Sequence, residues 1–433
     1  MKRRHNVTTR SRRGRSLENY KHEIYLCSRC GYCRDMVRAR DATDVVCPIR
    51  ENTGGFDSFT ARGRNIIARG ILEGKLDAGK VSPEFVDMLF ACTLCGSCQE
   101  HCLSISPDTW ELFPNNKFTD HKVDVLGIAE SLRSLIVEKG NPPEAIKQVL
   151  KNIQLHGNPE GQPRNKREEF LKELDFPVKR AKQEKCDTLL YIGSTASYNQ
   201  RNQKSARALV QVLHASNMDF CVLGNEEEDS GADALRLGEE GLFEELAQRN
   251  LRLFKKYGFK SIVCVSPHDY DAFVNDYPVY LEEWSKPEFK ILHYTELLAR
   301  LIRNGNLKMH KKLKKTVVYQ DPCYLGRINN IYDEPREIIR VTGAKLVEMR
   351  SSRHNSYCCG GGGGGVWYEP VHKPRLQIQR ARQACDTKAD IIVAACPLCE
   401  QMLEEGLTGL EKSDIKVMNV AEILLEAVGK AVQ

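Results

Sequence analysis

The stretch Tyr357-Cys358-Cys359-Gly360-Gly361-Gly362-Gly363-Gly364-Gly365 sets two adjacent thiols against six consecutive glycines. A glycine run has the composition of a flexible linker. This one lies inside a run of alternating strand and helix patterns, where a linker would split a domain. The other reading is a backbone without Cβ atoms, able to approach a bound group closely, to adopt positive φ and to turn its N–H groups into an anion-binding concavity. Around it, residues 316–319, 344–349 and 390–395 read as short β-branched strands, with helices near 334–341 and 374–386. Cys323 follows the first strand and Cys396-Pro397-Leu398-Cys399 follows the last. Open parallel α/β sheets place their ligands at those strand ends.

The same order of elements occurs once before, with strands at 188–192, 219–223 and 261–265 and helices near 203–215 and 241–257. The spacing Cys323-x34-Cys358-Cys359-x36-Cys396-Pro397-x-Cys399 is matched by Ser194-x34-Asp229-Ser230-x35-Ser266-Pro267-x-Asp269. Gly360 and Gly231 follow the paired positions in the two copies. An internal duplication accounts for both. One copy carries five thiols and the other none, because serine and aspartate replace soft sulfur with hard oxygen.

Toward the N-terminus stand Cys27-x2-Cys30-x2-Cys33-x13-Cys47-Pro48 and Cys92-x2-Cys95-x2-Cys98-x3-Cys102. Three cysteines at two-residue gaps can turn their sulfurs toward three corners of a small cubane, the fourth coming from elsewhere. In the ferredoxin-type arrangement that remote fourth cysteine serves the other cluster. This assigns Cys27, Cys30, Cys33 and Cys102 to one [4Fe–4S] cluster and Cys92, Cys95, Cys98 and Cys47 to a second. Structural zinc normally uses two separated Cys-x2-4-Cys pairs, which neither triplet resembles. Two details depart from the usual run: the 13-residue gap before Cys47, and Leu103 where proline commonly follows the last cysteine. Between the triplets, residues 62–76 and 82–90 read as helices, so the domain is expected to be mainly helical.

The chain has 433 residues, 17 of them cysteine, with 41% hydrophobic and 28% charged residues. That length suits several domains and excludes a disulfide-stapled mini-protein. No stretch approaches the roughly 18 apolar residues of a membrane span. With no apolar leader the chain is expected to be cytoplasmic, any membrane association going through a partner, and its cysteines are expected to be ligands or redox groups more than disulfides. The net charge of +6 comes from residues 1–15, which hold seven Lys/Arg and no acid; the remainder carries 57 basic and 58 acidic residues. Such a tail reads as a solvated, disordered terminus, and nucleic acid is not an expected partner.

The set of Cys323, Cys358-Cys359-Gly360 and Cys396-Pro397-x-Cys399 resembles the cysteine-rich CCG domain of heterodisulfide reductases. The whole chain, from about residue 22 to 430, is similar to the heterodisulfide reductase D subunit, or to a fusion of the C and B subunits. The resemblance implies a helical ferredoxin-like N-terminal domain plus an α/β C-terminal region of two duplicated CCG-type subdomains, the first degenerate. Expected boundaries are a basic tail over 1–20, the two-cluster domain over 21–120, a helical connector over 121–181, the degenerate repeat over 182–305 and the intact repeat over 306–433. It further implies that Cys323, Cys358, Cys359, Cys396 and Cys399 hold a non-cubane [4Fe–4S] cluster, with Cys358 and Cys359 at the reacting centre. The partners implied are flavin-containing or other redox subunits and a thiol or disulfide substrate.

Three functions follow from these readings. The first is an electron-transfer subunit of a multi-subunit oxidoreductase. The absence of a Gly-x-Gly-x-x-Gly turn argues that any nicotinamide or flavin site lies on another chain. The second is a stand-alone reductase acting on a disulfide at the single CCG cluster, and the third a scaffold with structural clusters. Cys186, Cys221, Cys264 and Cys385 read as packing thiols. His268, beside Pro267, reads as a loop histidine with an ordinary hydrogen bond, its alternative being contact with a neighbouring cluster. His354 is a candidate donor to cluster sulfur, and Arg29 and Arg34 flank the first triplet. Nothing in the sequence brings Asp229 within reach of Asp269.

Overall fold

The computed structural model describes residues 16–39, 42–102, 123–284, 289–371 and 375–429. The basic tail through Arg15 and Leu103 lie outside them. The chain forms two compact units, one made of residues 1–148, 233–241 and 362–376, the other of 149–232, 242–361 and 377–433.

In the first unit, polar side chains start each main helix by accepting an otherwise orphaned backbone N–H. Thr60 accepts from Gly63 at Ala61–Leu72, Ser82 from Phe85 at Pro83–Phe90, and Asp124 from Gly127 at Val125–Glu138. The expected 62–76 helix stops at Leu72, because the N–H groups of Lys75 and Leu76 fold back onto Gly70 O at 2.8 and 3.1 Å. Helix Val125–Glu138 packs against Ala61–Leu72 and Pro83–Phe90. The unit is not purely helical. Strands β1 (Asp35–Ala39) and β2 (Ala42–Val45) form an antiparallel hairpin that pairs Asp35 with Val45. This hairpin fills the 13-residue gap, and it returns the chain so that Cys47 N–H donates to Arg34 O at 3.1 Å, next to Cys33.

The second unit holds two parallel sheets. One has the order β3 (Thr188–Tyr191), β4 (Ser261–Cys264), β5 (Lys290–His293); the other runs β7 (Lys345–Val347), β6 (Thr316–Tyr319), β8 (Ile391–Ala394), β9 (Lys416–Asn419). Strands β3 and β8 are buried along their whole length, as near-continuous apolar runs in parallel sheets are. The expected strand at 219–223 makes only isolated parallel bridges, Leu189 to Cys221 and Arg180 to Val222, at the edge that β7 occupies in the other sheet. Each sheet ends in a strand not foreseen from the sequence, β5 or β9. Each of these runs into a helix through a capping box: His293 with Glu296 before Tyr294–Arg303, and Asn419 with Glu422 before Val420–Val428. One hydrophobic core runs through both sheets, from Leu190 and Val263 to Val317, Val393 and Leu424.

One expectation about cysteine is corrected here. Cys186 and Cys221 are joined as a disulfide, since Cys221 pairs alongside β3 and its N–H donates to Thr188 O at 3.0 Å, two residues from Cys186. Cys264 is buried on β4, as a packing thiol should be, and Cys385 is half-buried.

His293 is fully buried, and burial lowers its imidazole to about 3. The unfolded chain therefore binds a proton that the folded chain refuses between about pH 6.5 and 3, so stability rises with pH through that window and its full contribution is present above it. The slope is at most about 1.4 kcal/mol per pH unit. His293→Asn, which installs the cap found at Asn419, should lose less melting temperature between pH 7.5 and 5.5 than the unsubstituted chain; thermal unfolding at the two pH values measures this.

Candidate metal centres

Both N-terminal triplets make the same turn. Two residues after the first cysteine, Arg29 and Leu94 take φ of 58° and 51°; after the second cysteine, Gly31 and Gly96 take 89° and 74°. Two left-handed residues in four turn three sulfurs toward one side, and glycine carries the larger excursion without steric cost. Cys27, Cys30, Cys33 and Cys102 line one shared cavity, with Arg62 and Asn65 on its wall. Burial, then the neighbouring charges of Cys27, Cys47 and Cys102, push the Cys33 thiol up to about 11, against a hydrogen bond from the Arg62 backbone. Burial also pushes Cys47 to about 11, with Cys92 and Cys95 adding to it and the Arg64 guanidinium opposing. Cys98 is raised by burial and by Cys95, Cys92, Cys47 and Cys33. The Cys27, Cys30, Cys33 and Cys102 set thus shares one cavity, and Cys92, Cys95, Cys98 and Cys47 lie near one another, with Cys33 and Cys47 close enough to act across the two groups.

In the second unit, Cys358, Cys359, Cys396 and Cys399 are buried together. Cys399 Sγ lies 3.3 Å from Cys359 Sγ, and Gly360 N–H donates to Cys358 Sγ at 3.3 Å. Hydrogen bonds from Cys358 and Cys399 bring Cys359 well below the ordinary thiol range. For Cys396, burial opposes the thiolate, but bonds from Cys399 and His268 bring it down to about 6. Cys323 is half-buried in the loop after β6. That loop is held by Asp321, which pairs with buried Arg336 at 2.7 and 2.8 Å and accepts from Arg353 N–H at 2.7 Å. Arg327, on the same loop, donates to His354 O at 3.0 Å and so ties down the segment before Cys358. The His354 side chain is exposed.

Two buried guanidinium groups test whether these thiols suit an anionic cluster. Arg64 is 3% exposed, and its Nε and Nη2 have no hydrogen-bond partner among the described residues. Its charge acts on Cys47. Arg380 is fully buried and bonds Gln320 Oε1 at 2.5 Å, leaving Nη2 unpartnered, with Cys399 and Cys359 close enough to act on it. A buried cation with spare donors is costly unless negative charge sits beside it. Thiolate-bound iron–sulfur clusters supply that charge, so the donor sets fit.

The glycine run serves the first unit as well. A Cβ on Gly363 (φ 58°) would stand 2.7 Å from Cys92 O. Beside it, the buried Arg133 donates to five carbonyls: Leu89, Phe90, Cys92, Arg236 and Gly363. Farther along, Tyr368 OH and Val371 N–H both donate to Asp87 on helix Pro83–Phe90, at 2.6 and 2.8 Å. Arg133, Arg64 and Arg380 were not singled out from the sequence. The one available signal was a lone arginine on the apolar face of 125–138.

The degenerate copy is filled by its own oxygens. Ser194 Oγ donates to Asp229 Oδ2 at 2.5 Å and Ser230 Oγ to Asp269 Oδ1 at 2.5 Å. Asp229 Oδ1 accepts from Gly231 N–H, and a Cβ on Gly193 would collide with Asp269 Oδ2. All five positions are buried. Beside them Arg167 and Glu227 form a buried ion pair of 3.0 Å, with Glu227 accepting from Gly193 N–H at 2.9 Å. Asp229 and Asp269 therefore each accept from a serine of the same copy.

The 4Fe-4S dicluster domain family matches residues 23–104, and the cysteine-rich CCG domain family matches both 191–268 and 317–404. The D subunit of the dihydromethanophenazine:CoB--CoM heterodisulfide reductase of Methanosarcina barkeri is 29% identical, over 94% of this chain and 94% of its own length. The chain carries both domain families and resembles the heterodisulfide reductase D subunit along nearly its whole length. It is also 32% identical to the probable iron-sulfur-binding oxidoreductase FadF of Bacillus subtilis, over 94% of this chain and 60% of that protein. The EtfAB:quinone oxidoreductase of Syntrophomonas wolfei is 31% identical over 79% of this chain and 46% of its own length. The chain thus spans about half to three-fifths of these two relatives. Its domain families are those of 4Fe–4S iron–sulfur proteins. No described helix is long and apolar enough to cross a membrane.

A cation beside a cluster stabilises its reduced, more negative state. Arg64→Leu should lower the midpoint potential of one cubane signal and leave the CCG signal in place, and Arg380→Leu should do the reverse. Redox titration followed by electron paramagnetic resonance reads both; equal shifts of all signals in either variant would contradict this grouping of the thiols.

Proposed function

We propose that this chain is an electron-relay subunit of a larger oxidoreductase. Cys27, Cys30, Cys33 and Cys102 hold one cubane, Cys92, Cys95, Cys98 and Cys47 a second, and Cys323, Cys358, Cys359, Cys396 and Cys399 a non-cubane cluster. When bound, such clusters accept and release single electrons. The observation that carries the reading is the contrast between the two CCG copies. The degenerate copy is a closed set of serine–aspartate hydrogen bonds, so the chain offers one thiol-lined CCG centre, and two-centre cleavage of a heterodisulfide has no second site here. Four of the five thiols of that centre are at most 4% exposed. This favours a relay over a reductase that must admit a disulfide to Cys358 or Cys359.

The protein's own contribution is to keep water from the thiols, to place cations and N–H donors beside them, and to hold the glycine strap on Cys92 through Arg133. The shared element order and the paired capping boxes support descent of the two sheets from one duplicated unit. The relative named for EtfAB and quinone supports a flavin-containing or other redox protein as partner, and any membrane association would go through such a partner.

Protein purified without air should carry about twelve irons and no stoichiometric zinc, and Cys358→Ser or Cys359→Ser should retain about eight while losing only the unusual signal. A redox subunit should co-purify with the native chain. Turnover of a disulfide by the isolated chain with an artificial donor would establish the reductase reading in its place.

A further inference from the structure

Ser194 and Ser230 of the degenerate copy are taken up by Asp229 and Asp269, yet another side chain of that copy reaches the intact centre. Ser266 caps helix Pro267–Asp271 by accepting from His268 N–H at 3.2 Å, in the place where Cys396 begins helix Pro397–Gly409. His268 thereby occupies the counterpart of Leu398. Its imidazole hydrogen-bonds the Cys396 side chain and lies near enough to Cys359 to act on it. The ring also covers Tyr324, the neighbour of Cys323, with centroids 4.2 Å apart and planes 31° from parallel. The side chain is 9% exposed. The ordinary loop histidine expected from the sequence is therefore a member of the CCG centre.

The helix carrying His268 is fastened to the Cys323 loop. Asn329 Nδ2 donates both to Asp271 Oδ1, at 3.1 Å, and to Tyr324 O, at 2.6 Å. Asn275 Nδ2 donates to Asp271 Oδ1 at 2.6 Å and to Asn329 Oδ1 at 2.9 Å. The helix then passes into one turn of π-helix, Ala272–Asp276, a local distortion that concentrates at functional sites. Leu398 has no hydrogen-bonding group to offer in return, so the relation between the copies runs one way.

We propose that the degenerate copy completes the CCG centre: His268 donates a hydrogen bond to the Cys396 sulfur and so raises the reduction potential of the cluster held there. This rests on the reading of the five cysteines given above. A donor to a ligand sulfur stabilises the reduced, more negative cluster, and it acts strongly where water is excluded. His268 is a positioning residue and ligates nothing.

The full chain, purified without air, is compared with His268→Leu and with His268→Gln, which keeps a donor. Iron content and the midpoint potential of each paramagnetic signal are measured. Leucine should leave iron unchanged and shift only the CCG midpoint downward; glutamine should restore most of that shift. An unchanged CCG midpoint in His268→Leu overturns the proposal. If leucine loses the CCG iron, glutamine decides: retained iron with the original signal supports the hydrogen bond, and loss in both variants overturns it in favour of a structural or ligand role. Absence of a CCG signal from the unsubstituted chain would refute the proposed function before any variant is compared, so the two failures are separable.

Discussion

Cys33, Cys47 and Cys98 are raised by burial and by neighbouring cysteines, and Cys399 is raised by Cys359 and Cys396, whose own thiols are brought down by hydrogen bonds. Sulfur collected this densely in a low-dielectric interior is unstable as bare thiolate. The surrounding chain must therefore bring positive charge and N–H groups to within contact. Arg64, Arg380, His268 and the backbone N–H groups of Arg62, Gly360 and Gly361 meet that need, and most of the local architecture exists to hold them. The Asp321–Arg336 pair fixes the Cys323 loop, and the Asp271–Asn329 link fixes the helix of His268. These links hold the loop and the helix that carry Cys323 and His268.

The two sheets show what happens to such a place when the sulfur is gone. Ser194 and Ser230 each turn to an aspartate, and Ser266 takes up an N-cap that cysteine fills poorly. Each replacement is a residue that satisfies its neighbours locally. The pocket thus keeps its backbone, its proline and its glycine while giving up the capacity to bind soft metal.

Local spacing was informative where the chemistry is local. The Cys-x2-Cys-x2-Cys triplets, the cysteine pair with its glycines and the alternating strands could be read directly, because turn geometry and β-branched runs are properties of a few adjacent residues. The β1–β2 hairpin was not foreseen; Asp35–Val45 has no two-residue turn signal and no strict alternation of apolar and polar residues, so it read as an undefined gap. Strands β5 and β9 are four residues each with mixed polarity, and only their following capping boxes, His293-x-x-Glu296 and Asn419-x-x-Glu422, mark them. The arginines escaped for a different reason, and for His268 contact with a cluster was the alternative reading and not the expected one. Their roles arise from contacts tens to hundreds of residues away, and no periodicity encodes such a meeting. The Cys186–Cys221 pairing belongs to the same class, since it depends on an edge strand with only two bridges.

Arg133 joins carbonyls from residues 89–92, 236 and 363. The helical unit therefore draws on chain made long after its own helices. Domains ordinarily fold in order as they emerge from the ribosome. Here the guanidinium would stay partly unmatched until residue 363 had been synthesised, so the set of carbonyls around Arg133 is completed only with the glycine run. A chain broken off before that run would leave Arg133, buried between helices, short of a carbonyl it needs.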